Sequence, residues 1–396
     1  MKFPILIFAI VCGIRAAPTE EDALQEFIIG NRKFTAAIYK ELIKVNEGNL
    51  IVSPFSAETI LALTHEGAKG ESASELATGL FLPKTKERTR AAMKSFLPKL
   101  KKSDDDLKLL SANKIYVAND AKLEDDFRAT AENVYDSGLE NIDFVQNVKA
   151  ADTMNEWVES RTNNKIKELI NSDDIDGDTK LVLINALYFS GKWQNQFEDY
   201  LTSKKKFYKS KDESVDVDMM HQTEYLKYYE NPKLNAKFLE LPYQGSNISM
   251  IIALPNEKEG LAELEQNIEE LLEPQPLKFE RVDVQLPRFT IESEIKFIPI
   301  LKKLGINKVF GREADLSGLS STHKDLVISD VVQKAFINVT ESGTEAAAAT
   351  AVGVEDRIGD SGEVMPKSFY VNRSFLFVLT FNDVIIFTGR QSQFTE

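Results

Sequence analysis

Cysteine and histidine are nearly absent from this chain. Its 396 residues include one cysteine, Cys12, and three histidines, His65, His221 and His323. A single cysteine excludes an internal disulfide framework, so a folded chain of this length must be held by its core, which this size permits. Three scattered histidines leave a structural metal site unexpected. After the first 16 residues no apolar run is long enough to span a bilayer, so no membrane partner is expected. No Pro/Gly/Ser-rich linker and no repeat of about 20–50 residues divides the chain, which reads as one large, non-modular domain.

The N-terminus carries Lys2, then "FPILIFAIVCGI", then Ala16 and Ala17. This reads as a secretory leader over 1–16, with cleavage after Ala16 or after Gly13, and a mature, secreted domain over 17–396. Without Lys2 and Arg15 the balance is 46 basic against 62 acidic residues, or −16. That charge favours solubility and argues against nucleic acid as a partner. N-x-S/T sequons stand at Asn247, Asn338 and Asn372.

Helical spacing runs through Phe27, Phe34, Ile38 and Leu42. "NLIVSPFSAETILALTHEGAKGESASEL" predicts a short strand and then a helix capped by Ser53 with Pro54 at its first position. "ERTRAAMKSFLPKLKK" predicts helix up to Pro98, and "ADTMNEWVESRTNNKIKELI" an amphipathic helix throughout. "KLVLINALYFSGKW" is too continuously apolar for a half-exposed strand and suits a buried central one. Mostly strands follow, ending in a hairpin of "SFLFVLTFN" and "VIIFTGRQ"; only "SEIKFIPILKKLGI" reads as helix. Helices early and strands late predict an α+β fold with mainly antiparallel sheets.

Catalytic motifs fail. "GDSGE" at Gly359–Glu363 resembles a protease nucleophile, but no histidine stands in a matching context to act as base. "SDDIDGDTK" resembles part of a calcium loop, yet Leu183 falls where the last ligand is needed. Phosphate-binding glycine loops and HExxH are missing, and the chain is not expected to be an enzyme.

The segment "ESGTEAAAATAVGVEDRIGDSGEVMPKS", Glu341–Ser368, has no aromatic residue and no leucine. It admits three readings: a surface loop; a short helix capped by Ser342 and Glu345 ahead of Ala346–Ala349; or a strand in waiting. For the strand, one face is Thr344, Ala346, Ala348, Thr350, Val352 and Val354, small enough to enter a core. The other, Glu345, Ala347, Ala349, Ala351, Gly353 and Glu355, tolerates water or a covering helix. Gly343 permits a hinge, and the preceding strand "KAFINVTE" offers an edge to fold back on. Gly343 to Arg357 spans roughly 46–48 Å when extended.

Eleven stretches, in order, resemble the serpin family: "NLIVSPFSAETILALTHEGAKGES", "NEWVESRTNNKIKELI", "LINALYFSGKWQNQF", "VDVDMM", "LELPY", "IIALP", "LPRF", "LKKLGINKVF", "ADLSG", "QKAFINVTESGTEAAAAT" and "FLFVL". The likeness is to inhibitory arthropod haemolymph serpins and covers essentially the whole mature length. It implies three mainly antiparallel sheets, eight or nine helices and an exposed reactive loop at about 341–368. That loop is cut by a protease and inserts as an extra strand, trapping the acyl-enzyme; the native state is then held kinetically. The hinge maps to Glu341, Gly343, Thr344, Glu345, Ala346, Ala347, Ala348 and Ala349. Counting from the hinge glycine places the reactive bond at Arg357–Ile358, with Lys367–Ser368 a distant second, since the stretch after Arg357 is longer than in common vertebrate members. An arginine there implies a trypsin-like partner with a carboxylate in its specificity pocket; an ordinary solvated arginine is the alternative. Ser53, Ser56, Asn185 and Gln333 map to the shutter beneath the sheet, where Gln333 replaces the histidine of many members. Trp193 maps to the top of the sheet, where insertion starts. No cofactor is expected beyond a heparin-like glycosaminoglycan as activator. Its candidate site is the basic run Lys84, Lys86, Arg88, Arg90, Lys94, Lys99, Lys101 and Lys102, otherwise a solvated helix. A monomer is expected. The rival function is a non-inhibitory carrier or storage protein.

Overall fold

The computed structural model describes residues 19–100, 107–245, 247–323, 325–344 and 365–394. Nine α-helices and fifteen strands lie among the described residues, helices dominating the first half and strands the second. The first helix, Glu20–Leu42, starts at a capping box between Thr19 and Asp22 and buries Phe27, Phe34, Ile38 and Leu42. The helix Pro54–Gly67 begins as its sequence predicts. Ser53 is the N-cap, its Oγ accepting from the Ser56 N–H at 3.3 Å, and Pro54 sits where a missing N–H costs nothing. That helix is buried along almost its whole length and forms the centre of the molecule.

Three helix boundaries depart from the sequence expectation. Helix Lys86–Leu100 continues two residues past Pro98, because a proline in the last turn removes only one internal bond. Helix Asn147–Arg161 stops well short of Ile170; Asn163 and Asn164 take positive φ, a conformation asparagine tolerates and a helix cannot continue through. In "SEIKFIPILKKLGI" only Ile298–Lys303 is α-helical, and the first four residues belong to the strand Phe289–Lys296, where the alternation of Ile291 and Ile295 wins. The terminal hairpin, Phe375–Phe381 with Val384–Gln391, closes at Asn382 and Asp383, both at positive φ, as a two-residue turn requires.

The strands form two hydrogen-bonded networks, one of nine and one of six strands. The three sheets implied by the resemblance fall into two because one 18-residue strand, Ser214–Asn231, runs through both halves of the larger network. The six-stranded sheet carries the functional geometry. Its middle strands are Leu181–Lys192, buried over nearly all its length, and Asp330–Thr340. They pair in parallel from Asp330 opposite Val182 to Phe336 opposite Tyr188. Pro54–Gly67 backs one face. Helix Asn147–Arg161 lies on the other, with Ala150, Met154 and Val158 packed in one cluster with Val182, Ile184 and Val332.

Candidate functional site

At the upper end of the seam between these two strands the parallel pairing stops, and a third strand occupies the gap. Its described part is Gly343–Thr344. Gly343 and Thr344 pair antiparallel with Thr340 and Val339 on one side and with Lys192 and Gly191 on the other. Gly343 has φ +147°, and a Cβ there would lie 2.0 Å from the Gly191 carbonyl oxygen, so glycine is required twice over. Thr344 is completely buried and shares a 2.7 Å hydrogen bond with the Tyr243 hydroxyl. Trp193 stacks on Tyr243 with ring centroids 4.4 Å apart, and its Nε1–H donates to the Thr340 carbonyl at 3.0 Å. The indole therefore roofs the point where the new strand begins.

Glu341, one turn earlier, is fastened down. Its carboxylate, nearly buried, accepts from Arg288 Nε at 2.6 Å and Nη2 at 2.5 Å and from the Thr202 hydroxyl at 2.5 Å. Burial alone pushes its pKa up, but the hydrogen bonds from Arg288 and Thr202 together outweigh burial and hold it below the ordinary carboxylate value. Arg288, Thr202 and Tyr243 were not singled out from sequence. Two of them lie inside stretches that carry the resemblance, "LPRF" and "LELPY", so the signal was present without a role attached.

Lower down, the seam is bolted. Gln333 and Asn185 stand opposite each other in the parallel pairing, and the Gln333 amide donates to the Asn185 side-chain oxygen. Gln333 also clamps Ser53: its Oε1 accepts from the Ser53 N–H at 2.8 Å and its Nε2 donates to the Ser53 carbonyl at 2.9 Å. Asn185 donates to Ser56 and to Asn113, a member that sequence reading missed because a polar residue in a buried strand gives no local cue. The Ser53 hydroxyl donates to the Ile386 carbonyl at 2.7 Å, tying both networks together. Every predicted shutter residue is thus within one hydrogen-bonded group, fully buried and satisfied without a charge.

The basic run is divided. Lys86 donates to the Glu66 and Ala68 carbonyls at the end of the central helix, Arg88 binds Glu26 at 2.7 Å, and Arg90 forks onto Glu66 at 2.7 and 3.0 Å. These three anchor their helix to the body, while Lys84, Lys94 and Lys99 are exposed. Among the sequons, Asn247 is exposed. Asn338 is half-buried on its strand, accepting from Thr290, and Asn372 is half-buried, accepting from Arg373. Lys367 lies in the strand Lys367–Tyr370, paired opposite Val282. The leader, Arg357–Ile358, Glu345, Ala346, Ala347, Ala348, Ala349, Lys101 and Lys102 lie outside the described residues.

The family model described as Serpin (serine protease inhibitor) matches residues 29–393. The chain belongs to the serpin family. The serpin is 36% identical over 396 residues to antitrypsin of Bombyx mori, covering 98% of this chain and 99% of that one. Among solved structures it is similar to Serpin48 of the insect Tenebrio molitor, described as highly specific, with TM-score 0.88, 42% identity and coverage of 94% of this chain and 99% of that one. Cleaved Serpin 42Da follows at TM-score 0.84 and 32% identity, covering 94% of this chain and 100% of that one. Family membership corrects the bare negative expected from sequence, that the chain is not an enzyme: the class it supplies is a positive one, inhibition of serine proteases.

Proposed function

We propose that this serpin is a secreted suicide substrate for a trypsin-like serine protease, cut after Arg357, whose loop then completes the strand begun at Gly343 and Thr344. The observation that carries the reading is the strand Gly343–Thr344 itself, held between partners on both sides three positions above the Phe336–Tyr188 pair at the top of the parallel seam. Continued in the same register, the strand would set Ala346 between Ile337 and Phe189, Ala348 between Ala335 and Leu187, and Thr350 between Gln333 and Asn185. Partners in a pairing share a face, and Val339, Ile337, Ala335 and Gln333 are all buried. Thr344, Ala346, Ala348 and Thr350 would therefore face the core, and Ala347, Ala349 and Ala351 the covering helix. One parallel ladder would be exchanged for two antiparallel ones, a gain in paired backbone that can drive the transition. Cleavage at Lys367–Ser368 is disfavoured because that residue is already engaged in sheet pairing.

The target is inferred to act in a haemolymph cascade of clotting, melanisation or Toll signalling, by likeness to insect relatives alone. Heparin-like polyanions are proposed as activators through Lys84, Lys94 and Lys99 together with Lys101 and Lys102; acceleration of inhibition at low salt supports this and an unchanged rate sinks it. Glycans are proposed first at Asn247. The deciding experiment mixes the purified protein with bovine trypsin, followed by denaturing gels and mass spectrometry. A stable covalent complex with release of a peptide starting at Ile358 is expected. Clean cleavage without complex would turn the chain into a substrate and put the carrier reading first.

A further inference from the structure

After the reactive loop the chain rejoins the body as the strand Lys367–Tyr370, and its backbone attachment is slight. The strand stands at one end of the nine-strand network and pairs with one neighbour, Lys278–Pro287. The pairing is parallel and runs only from Lys367 opposite Val282 to Tyr370 opposite Gln285. A short parallel ladder on one side is a weak hold, of the kind that opens locally. Towards the core, Phe369 is fully buried and meets Tyr228 edge-on at 6.3 Å. On the outward face the register brings three polar side chains into line. Tyr370 and His221 both stand opposite Gln285, and Asp283 is two residues before Gln285, so all three share one face. The Tyr370 hydroxyl donates to Asp283 Oδ2 at 2.6 Å, and His221 Nε2 lies 2.7 Å from Asp283 Oδ1. An imidazole can donate from Nε2 whether neutral or charged, so each carboxylate oxygen has a donor. The group ties the edge strand to its neighbour and, through the carboxylate, to the strand Ser214–Asn231 beyond it.

His221 and Asp283 keep 33% and 21% of their side-chain surface exposed. Water could serve these atoms, so the bonds add attachment and are not forced by burial. The attachment matters because an uncut loop is anchored at both ends, at Gly343–Thr344 and at Lys367–Tyr370. Whatever length enters the seam is drawn from the chain between the two anchors, and release of the return strand adds length. A loop that enters uncut no longer presents its bond to a protease. We propose that Tyr370, Asp283 and His221 form a side-chain latch on the return end of the reactive loop, Asp283 being the acceptor and His221 its positioning residue, and that the latch sets how long the uncut chain remains an inhibitor. The second half of the proposal rests on the inhibitory reading above.

Hydrogen–deuterium exchange of the peptide covering 367–371, read by mass spectrometry on the purified, uncut chain, tests the latch. The half-life of trypsin inhibition during warm incubation tests its consequence. Tyr370→Phe removes only the hydroxyl. It is expected to speed exchange of that peptide about tenfold, because a hydrogen bond to a charged acceptor is lost. The half-life should shorten by about the same factor, with association rate and stoichiometry unchanged at the outset. Tyr225→Phe takes a hydroxyl from the same outward face and stays within about twofold of wild type. Asp283→Ala should match Tyr370→Phe, and the double variant should exchange no faster than either single one. His221→Leu should speed exchange about threefold, and His221→Gln, which keeps a donor in that place, should restore it. Exchange within about twofold of wild type in Tyr370→Phe overturns the latch. So does a double variant whose two effects simply add. Fast exchange with an unchanged half-life overturns the second half of the proposal. If Asp283→Ala lowers Tm, Tyr370→Phe and the His221 pair decide. Failure of wild type to form any complex fails the inhibitory reading instead, and the exchange result still judges the latch.

Discussion

The seam between Asp330–Thr340 and Leu181–Lys192 is built in two ways. At its top the strands are held apart by Gly343 and Thr344, under a roof of Trp193 and Tyr243, with Glu341 pinned by Arg288 and Thr202. Below, the same strands touch directly, and Gln333 and Asn185 bolt them to each other and to Ser53. The top is thus an antiparallel sheet that has begun, and the bottom a parallel one that must open for it to continue. The offset makes both statements one: the spacing that places Val339 and Gly191 on either side of Thr344 also places Gln333 beside Asn185. A growing strand needs no slippage, only separation of the bolt.

The largest effect is expected where the growing strand would pass between fully buried partners inside the parallel seam. Ala348→Arg puts a charge between Ala335 and Leu187, both fully buried. Cleavage by trypsin should continue while covalent complex falls below detection on denaturing gels, since burying an unpaired charge costs many times what one strand residue gains. Persisting complex would show that the register set by Thr344 is not continued.

Next comes the pin. Glu341→Lys removes the anion from Arg288 and sets a like charge against it. A loss of about 2–3 kcal/mol in urea unfolding is expected, below the 3–5 typical of a fully buried pair because the Arg288 guanidinium is half exposed. Wild-type acidification should act in the same direction. A carboxyl held below its ordinary value of 4.5 contributes stability that is full above about that pH and is lost as pH falls through its lowered native value. A pin that ignored acid would have to owe its strength to packing instead.

The bolt is weaker per group but has more partners. Gln333→Ala strands the Ser53 N–H and carbonyl and one Asn185 oxygen, for an expected loss of about 2 kcal/mol. Because the lesion lies in the lower seam, inhibitory activity should also decay faster on warm incubation than in the Glu341 variant at matched stability. Equal decay rates would mean that the bolt does not control opening.

Much of this arrangement could be read in the residues, and the limits are physical. The capped start of the central helix follows from Ser53 and Pro54, and the buried middle strand from an unbroken apolar run, because both are local signals. The small-residue face beginning at Thr344 follows from a period of two, and the burial of Thr344 agrees with it. The partners could not be read that way. Arg288 meets Glu341 across 53 positions and Asn113 meets Asn185 across 72, and nothing local encodes such contacts. The basic run is only partly legible for a related reason: its charges are visible in sequence, but that Lys86, Arg88 and Arg90 are engaged by Glu66, Glu26 and helix-end carbonyls is not.

The smallest effect sets the two regions against each other through their acids. Glu58 lies on the helix that carries Ser53 and Ser56, completely buried, with Oε2 accepting from Asn31 at 3.0 Å and Oε1 without a partner. Burial pushes its pKa well above the ordinary value, and the Asn31 bond only partly counters this. Its sign is therefore opposite to that of Glu341: its contribution is full below about pH 4.5, where the unfolded chain is protonated too, and is lost as pH rises towards the native value. Glu58→Gln keeps the shape and the acceptor for Asn31 while removing the proton equilibrium. Its Tm should match wild type near pH 4.5 and exceed it by a growing margin as pH rises to 8, with trypsin complex formation unchanged. A variant less stable by the same amount at both pH values would show that the carboxyl is structural and its proton irrelevant.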